Sequence, residues 1–484
     1  MEKNSIALLP LDNRPISYLL PKQIAEFSGI DLMLPERQFL GNLNHGSDLN
    51  YIEKWLTDLK KNSTLIISLD NWIYGGLVQS RKHSTSFDEL KSKVLFIKEL
   101  KDINKYGFSS VMRISNNNDA SEEKEYWENY GEKIFKWSEL THKVGIGIKE
   151  EGVSHKELLE RWYQSSKLIP PDILSDYKGH RDKNFTINLQ WLESLHKDTL
   201  KYLILSCDDA SLYGMNVVEA EYLKQEIKKH NFTKLAKVIS GTDEIPLVLL
   251  TKAILESSKI KPSVSICFDS NEGAKQIAKY ESSSIQTSVF NQLEVLGLEI
   301  KEPNNEDIAL FIHIADSYQG DHVFNEKAGA TENNVFKLIQ ALKSTDKPFI
   351  LIDLAYANGA DPVLIEPLLK AKITWNKCYG YAAWNTCSNS IGCAMAIGIN
   401  RWIAEKRKIF NENAFKRCLL TRFLDDYAYQ SQIRHSNITE LEVNKKLGVY
   451  VQTFSTLLDI SNIKVNCKLP WKRSFEVEVE FYDK

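Results

Sequence analysis

The chain has no apolar run near the roughly 20 residues that crossing a bilayer requires, so no membrane-spanning segment is expected. Its opening, MEKNSIALLPLDNRP, puts a proline and an aspartate where a secretion signal needs an unbroken apolar core. Cysteine is sparse: seven residues, an odd number, scattered and without a CxxC pair. That argues against a disulfide framework or a thiolate zinc site and suits small buried residues of a cytoplasmic protein. There is little excess of either charge, with 61 Lys and Arg against 64 Asp and Glu, so the composition points to neither nucleic acid nor an anionic membrane as partner. Walker-type GxxxxGK[ST], a GxGxxG following a strand and a GxSxG elbow are all missing, which removes the local signatures of nucleotide binding and of a serine nucleophile. Repeats, low-complexity tracts and flexible linkers are missing too. No cofactor is expected, and oligomeric state leaves no mark in the sequence.

What is present is an alternation. Near-continuous apolar runs occur at Ser5–Leu9, Leu65–Leu69, Ser109–Ile114, Lys201–Leu205, Ala236–Ser240, Ser263–Phe268, Ile308–Ile314, Pro348–Ile352 and Tyr379–Ala383. Such runs, apolar on both faces, mark strands of a buried parallel sheet. Between them lie helix-like stretches such as 86–103 and 217–230, so the fold class is α/β with right-handed crossovers. About eight such units fit a (β/α)8-like barrel over residues 1–400, with an inserted element around 255–300. A two-lobed, doubly wound α/β arrangement is the alternative. After Ile397 the chain turns helical and charged. The 401–484 segment is expected to pack on the barrel as a helical extension that ends in an alternating strand, FEVEVEFY (475–482).

Almost every expected strand stops at a polar cluster. These are Asp12, Asn13 and Arg14 in PLDNRP; Asp70, Tyr74 and then Arg81 after SLDNWIYGG; Arg113; Asp208 and Asp209, with Tyr213 beyond; Asp243 and Glu244; Asp353, Asn358 and Asp361; and Trp384, Asn385 and Asn389. Parallel strands point their C-terminal ends at one rim, where ligands of α/β proteins bind. The clusters mix Asp, Asn, Arg, Tyr and Trp with Gly instead of the Lys and Glu of a solvated surface. An aromatic beside amides offers a sugar both a platform for its C–H face and partners for its hydroxyls, although a core tryptophan reads equally well. A small carbohydrate is therefore the expected substrate.

The adjacent carboxylates of YLILSCDDASLYG are the sharpest feature. Two close, partly desolvated aspartates cannot both ionise comfortably, so one becomes a usable acid near neutral pH while the other stays charged. Adjacent carboxylates suit glycoside hydrolysis in its substrate-assisted form, in which the sugar's 2-acetamido oxygen attacks the anomeric carbon, one carboxylate orients the acetamide and its neighbour protonates the leaving oxygen. The competing structural role is Asp209 as a cap of the following helix. Arg14, Arg81 and Arg113 are expected to hold these carboxylates or to meet an acidic group on the substrate. HIADSYQGDH offers the other chemistry, a metal-dependent hydrolase in which His313, Asp316, Asp321 and His322 would serve as ligands. A sugar-binding protein without turnover is the third reading. Arg422 and Asp426, four apart in RFLDDYAYQ, read as an internal helix brace.

Taken together, PLDNRP, SLDNWIYGGLVQSR, CDDASLYG, GTDEIP, DLAYANGADP, WNTCSNSIG, RFLDDYAYQ and LPWKRSFEVE resemble one family of bacterial proteins classed as a domain of unknown function, over essentially the whole chain. A second, weaker similarity is to the β-N-acetylglucosaminidases of the O-GlcNAc hydrolase and hyaluronidase type. That resemblance implies a barrel whose fourth strand ends in the Asp pair, Asp208 polarising the acetamide and Asp209 acting as general acid. It would also place Trp384 and Asn385 in a late sugar-contacting segment. Where those enzymes carry a Gly-rich first-strand motif, this chain has PLDNRP.

Overall fold

The structure is a computed structural model and describes residues 5–148, 152–197, 199–434 and 439–483. It is mixed α/β, and its strands pair into two large sheets. The first runs in the order Leu32–Met33, Ile6–Leu9, Thr64–Ser68, Asn104–Val111, Tyr202–Cys207, Ala236–Ser240. All pairings from Ile6–Leu9 onward are parallel. The second runs Glu299–Ile300, Ser263–Phe268, Ile308–His313, Phe349–Asp353, Cys378–Ala382, again all parallel. Counted along the chain within each sheet, both follow the order 2-1-3-4-5, and the first adds a sixth strand. That is a doubly wound order, with a switch point between the first and third strands. No closed barrel is formed among the described residues, and Ser263–Phe268, expected as an inserted element, is the first strand of the second sheet.

The chain divides into two compact units. One comprises 1–13, 33–242 and 280–282; the other comprises 14–32, 243–279 and 283–484. The apolar runs became strands for the reason their composition gives: Ile6–Leu9, Tyr202–Cys207, Ile308–His313, Phe349–Asp353 and the edge strand Cys378–Ala382 are buried at every position. The strand expected at Ser109–Ile114 starts at Asn104, five residues earlier, because Lys105 and Gly107 interrupt its apolar pattern although both are buried. Lys105 manages this by turning its ammonium to the carbonyl of Leu100.

In the second unit the helix Cys387–Lys406 is buried on nearly all sides, which its run of Ser, Gly, Cys and Ala permits. It lies so close to Cys378–Ala382 that a methyl on Gly380 would collide with the Ala394 carbonyl. RFLDDYAYQ departs from the expected α-helix. Residues Phe423–Ile433 wind as a π-helix, continuing the α-helix Glu412–Arg422, and the Arg434 N–H closes back five residues onto Tyr429 (2.8 Å). The alternating C-terminal segment forms one strand of an antiparallel hairpin, Ile463–Lys468 with Glu478–Asp483. All seven cysteines are free, and Cys207 is buried in its strand, its thiol pushed up to about 12 by burial. No helix among the described residues is long and apolar enough to cross a membrane.

Candidate active site

In the first unit, strand ends bring together residues far apart in sequence. Thr64–Ser68 runs directly into the short helix Leu69–Tyr74, started by Ser68, whose hydroxyl accepts the Asn71 N–H (3.1 Å). Gly75 follows at φ 93°, a conformation glycine adopts freely, and Gly76 precedes a second short helix, Leu77–Lys82, that carries Arg81. Arg113 comes just after Asn104–Val111, and Asp208 and Asp209 follow Tyr202–Cys207 at once. The loop after Arg113 adds two residues that the sequence pattern did not single out, Glu122 and Glu123. Asx turns shape it, Asn117 accepting the Asp119 N–H (3.0 Å) and Asp119 accepting the Ser121 N–H (2.8 Å). Trp127, buried with Met112, Ile134, Trp137 and Tyr177, anchors its far end.

These residues form one ionic network. Arg81 donates through Nη2 to Asp208 Oδ2 (2.5 Å) and through Nη1 to Glu122 Oε2 (2.7 Å). Arg113 donates through Nη1 to Asp209 Oδ2 (2.7 Å), through Nη2 to Glu122 Oε2 (3.0 Å) and through Nε to Glu123 Oε1 (3.0 Å). Four carboxylates thus face two guanidiniums, and an imbalance of that kind favours a bound proton. Burial and the Asp208 charge push Asp209 up to about 6, against the pull of Arg113 and Arg81. Burial raises Glu123 as well, against the same two arginines. The side chains of Asp208 and Asp209 are 16% and 35% exposed, so solvent reaches them. Asp209 takes a positive φ of 38°, a strained conformation for a residue with a Cβ. It caps no helix: the next one, Met215–Lys229, begins after Gly214 without a side-chain cap.

Other expected residues of this unit lie at the strand ends in other roles. Asp70 is buried, accepts the Ser110 N–H (2.7 Å) and the Ser109 hydroxyl (3.1 Å), and is pushed by burial up to about 6. It ties the helix Leu69–Tyr74 to the neighbouring strand Asn104–Val111. Tyr74 is buried and stacks on His83 (4.6 Å), and burial raises its hydroxyl well above the ordinary value. Tyr213 lies edge-on to His142 (5.6 Å). Asp12 is buried, and the Asn13 carbonyl accepts from Arg37 Nε (2.8 Å).

The second unit has its own polar constellation. His313, fully buried at the end of its strand, lies between two carboxylates, with Nδ1 at 2.5 Å from Asp269 Oδ2 and Nε2 at 3.0 Å from Asp361 Oδ2. Burial opposes its charge, yet the bonds to Asp269 and Asp361 outweigh it and hold the ring well above its ordinary pKa. Asp361 also caps the helix Pro362–Lys370 through the Val363 N–H (2.9 Å), and its own N–H bonds Asp353 (2.7 Å). Burial, then the charge of Asp361, push Asp353 up to about 7. Arg422 spans Asp426 and Asp425 at 3.0 Å each, the brace expected from their spacing with a second carboxylate added. Arg14 grips Asp243 with both Nη atoms (2.5 and 3.2 Å). Glu244 is buried and accepts from Gln292 (3.3 Å).

The remaining expected positions scatter to separate partners. Asp316 accepts from Asn334 (2.8 Å), Asp321 from Asn358 (3.1 Å), and His322 faces the Ala360 carbonyl (2.9 Å). With His313 they do not form a ligand set, and no group of three or more His, Cys, Asp or Glu side chains among the described residues is placed to hold a metal. Asn385 sits at φ 59°, its carbonyl taking the Asn358 N–H (2.7 Å), and Asn389 is buried on its helix. Trp384 is 1% exposed and packs edge-on against Phe475 (5.8 Å).

No curated protein and no solved structure matches the chain. A model described as "Protein of unknown function (DUF4127)" matches residues 6–480, and the chain belongs to that family.

Proposed function

We propose that the first unit hydrolyses glycosides, with Asp209 as general acid, and that its substrates are N-acetylhexosaminides. One observation carries the reading. Asp209 sits at a strand's C-terminal end, within reach of solvent, with a carboxyl pushed up to about 6 beside an arginine-held Asp208. A group in that range is a working acid near neutral pH. In the first step the acetamide oxygen bonds to the anomeric carbon as the glycosidic C–O bond breaks, and Asp209 gives its proton to the departing oxygen. In the second, water adds to the anomeric carbon, returns a proton to Asp209 and regenerates the acetamide. Asp208, anchored through Oδ2 by Arg81, keeps Oδ1 for the acetamide N–H. The arginines fix both carboxylate side chains in place before substrate arrives.

The test is hydrolysis of aryl glycosides with and without a 2-acetamido group by the wild type, Asp209→Asn and Asp208→Ala. Turnover restricted to 2-acetamido sugars, and reduced at least a hundredfold in both variants, is expected. Equal turnover of 2-hydroxy sugars would remove the substrate-assisted step, and undiminished activity in Asp209→Asn would remove the acid.

A further inference from the structure

Three arginines of the second unit meet two aromatic rings. Arg14 lies over Trp471 (5.4 Å to the ring centre) and Phe475 (5.9 Å), Arg473 over the same rings (4.6 and 5.0 Å), and Arg434 over Phe475 (5.5 Å). They come from three stretches: PLDNRP, the residue just past the π-helix, and the turn LPWKRSF. In that turn Trp471 and Lys472 are both left-handed, at φ 57° and 55°, and Trp471 stays half-exposed. Two successive non-glycine residues in this region cost on the order of 1 kcal/mol each, so the turn is held in place by its contacts.

The charges are not served alike. Asp243 neutralises Arg14. Arg434 instead donates to the neutral amide oxygen of Gln430 (2.7 Å), and no carboxylate among the described residues lies within ion-pair distance of it. Burial is the first cause that lowers its pKa; Tyr429 and the more distant carboxylates of Asp425 and Asp321 pull it back up, and the like charge of Arg473 adds to the lowering. A half-buried guanidinium beside a second one gains only roughly 0.5–2 kcal/mol from a ring face, less than a carboxylate or phosphate would supply through a planar fork of N–H donors.

We propose that Arg434, Arg473 and Trp471 form a binding site for a small ligand that joins a carboxylate or phosphate to a sugar ring. The anion bridges the two guanidiniums, and the ring's apolar face lies beside Trp471. All the residues belong to the second unit, so the proposal stands apart from the hydrolase reading and does not need Asp208 or Asp209.

Isothermal titration of the full chain with inorganic phosphate, a hexose 6-phosphate, a hexuronate and the neutral hexose tests it, using the wild type, Arg434→Gln, Arg434→Lys and Arg473→Gln. The expected result is binding of at least one anionic sugar, tighter than phosphate alone, with no binding of the neutral hexose. Arg434→Gln and Arg473→Gln should each weaken it tenfold or more, and Arg434→Lys, which keeps the charge and loses the fork, should fall between. Binding of the hexose 6-phosphate alone identifies a phosphate site, and binding of the hexuronate alone a carboxylate site. No binding of any anionic sugar at millimolar concentration overturns the proposal. So does undiminished affinity in both Gln variants whose melting temperatures match the wild type.

Discussion

Replacing Arg113 by Gln isolates the electrostatics of the acid. Arg113 Nη1 lies 2.7 Å from Asp209 Oδ2, which puts the two charge centres roughly 4 Å apart. At that separation a pair of opposite charges is worth about 4 kcal/mol at an effective dielectric constant near 20, and about 1 kcal/mol in water. With a third of the Asp209 side chain exposed, the value lies toward the lower end, roughly 1.5–2 kcal/mol. Since about 1.4 kcal/mol is one pH unit, removing the guanidinium should raise the Asp209 carboxyl by roughly one unit from its value of about 6. A general acid works protonated, so the rate holds below its pKa and falls about tenfold per unit above it. The alkaline limb of kcat/KM for an aryl 2-acetamido glycoside should therefore move up by roughly one unit in Arg113→Gln. A limb that stays in place, or moves to lower pH, would refute the assignment of that limb to Asp209.

His313→Gln should cost roughly 3–5 kcal/mol in thermal or denaturant unfolding, because it leaves the buried Asp269 and Asp361 without their cation. His313 has a raised pKa in the folded state, so its contribution is full below about pH 6.5 and shrinks as the pH climbs toward the folded value; a gap that widens with pH would contradict this. Gly380→Ala should lose roughly 1–3 kcal/mol by forcing the strand away from the Cys387–Lys406 helix, and a melting temperature equal to the wild type would show that the contact yields easily. Trp384→Phe should lower the melting temperature while leaving KM for the glycoside within about twofold, since a buried ring lost from the core destabilises without touching substrate.

Much of the fold could be read from hydrophobic runs, because a strand covered on both faces has little freedom in composition. Ala236–Ser240 and Ser263–Phe268 were expected at the bounds they have. Which strands pair leaves no local mark, so a continuous barrel and two doubly wound sheets read alike until the pairing between Ser263–Phe268 and Ile308–His313 is seen. Asp208, Asp209, Arg81 and Arg113 were legible as polar residues at strand ends, and the pairing of arginines with carboxylates followed from charge. Glu122 and Glu123 were not, since SEEKE in a loop reads as a solvated stretch and only Arg81 and Arg113 make it otherwise. Asp269 carried the same signal as its neighbours, an acid straight after an apolar run, and its partner His313 was read as a metal ligand instead. The π-helical winding of Phe423–Ile433 has the composition of an α-helix and gave no sign of itself.

The central claim is that Asp209 donates the proton that frees the leaving group, and leaving-group dependence tests it most directly. Across aryl 2-acetamido glycosides of increasing phenol acidity, kcat/KM of the wild type should vary little. In Asp209→Asn it should fall steeply for poor leaving groups while the most activated substrate retains much of its rate. The same shallow dependence in both proteins would contradict the claim.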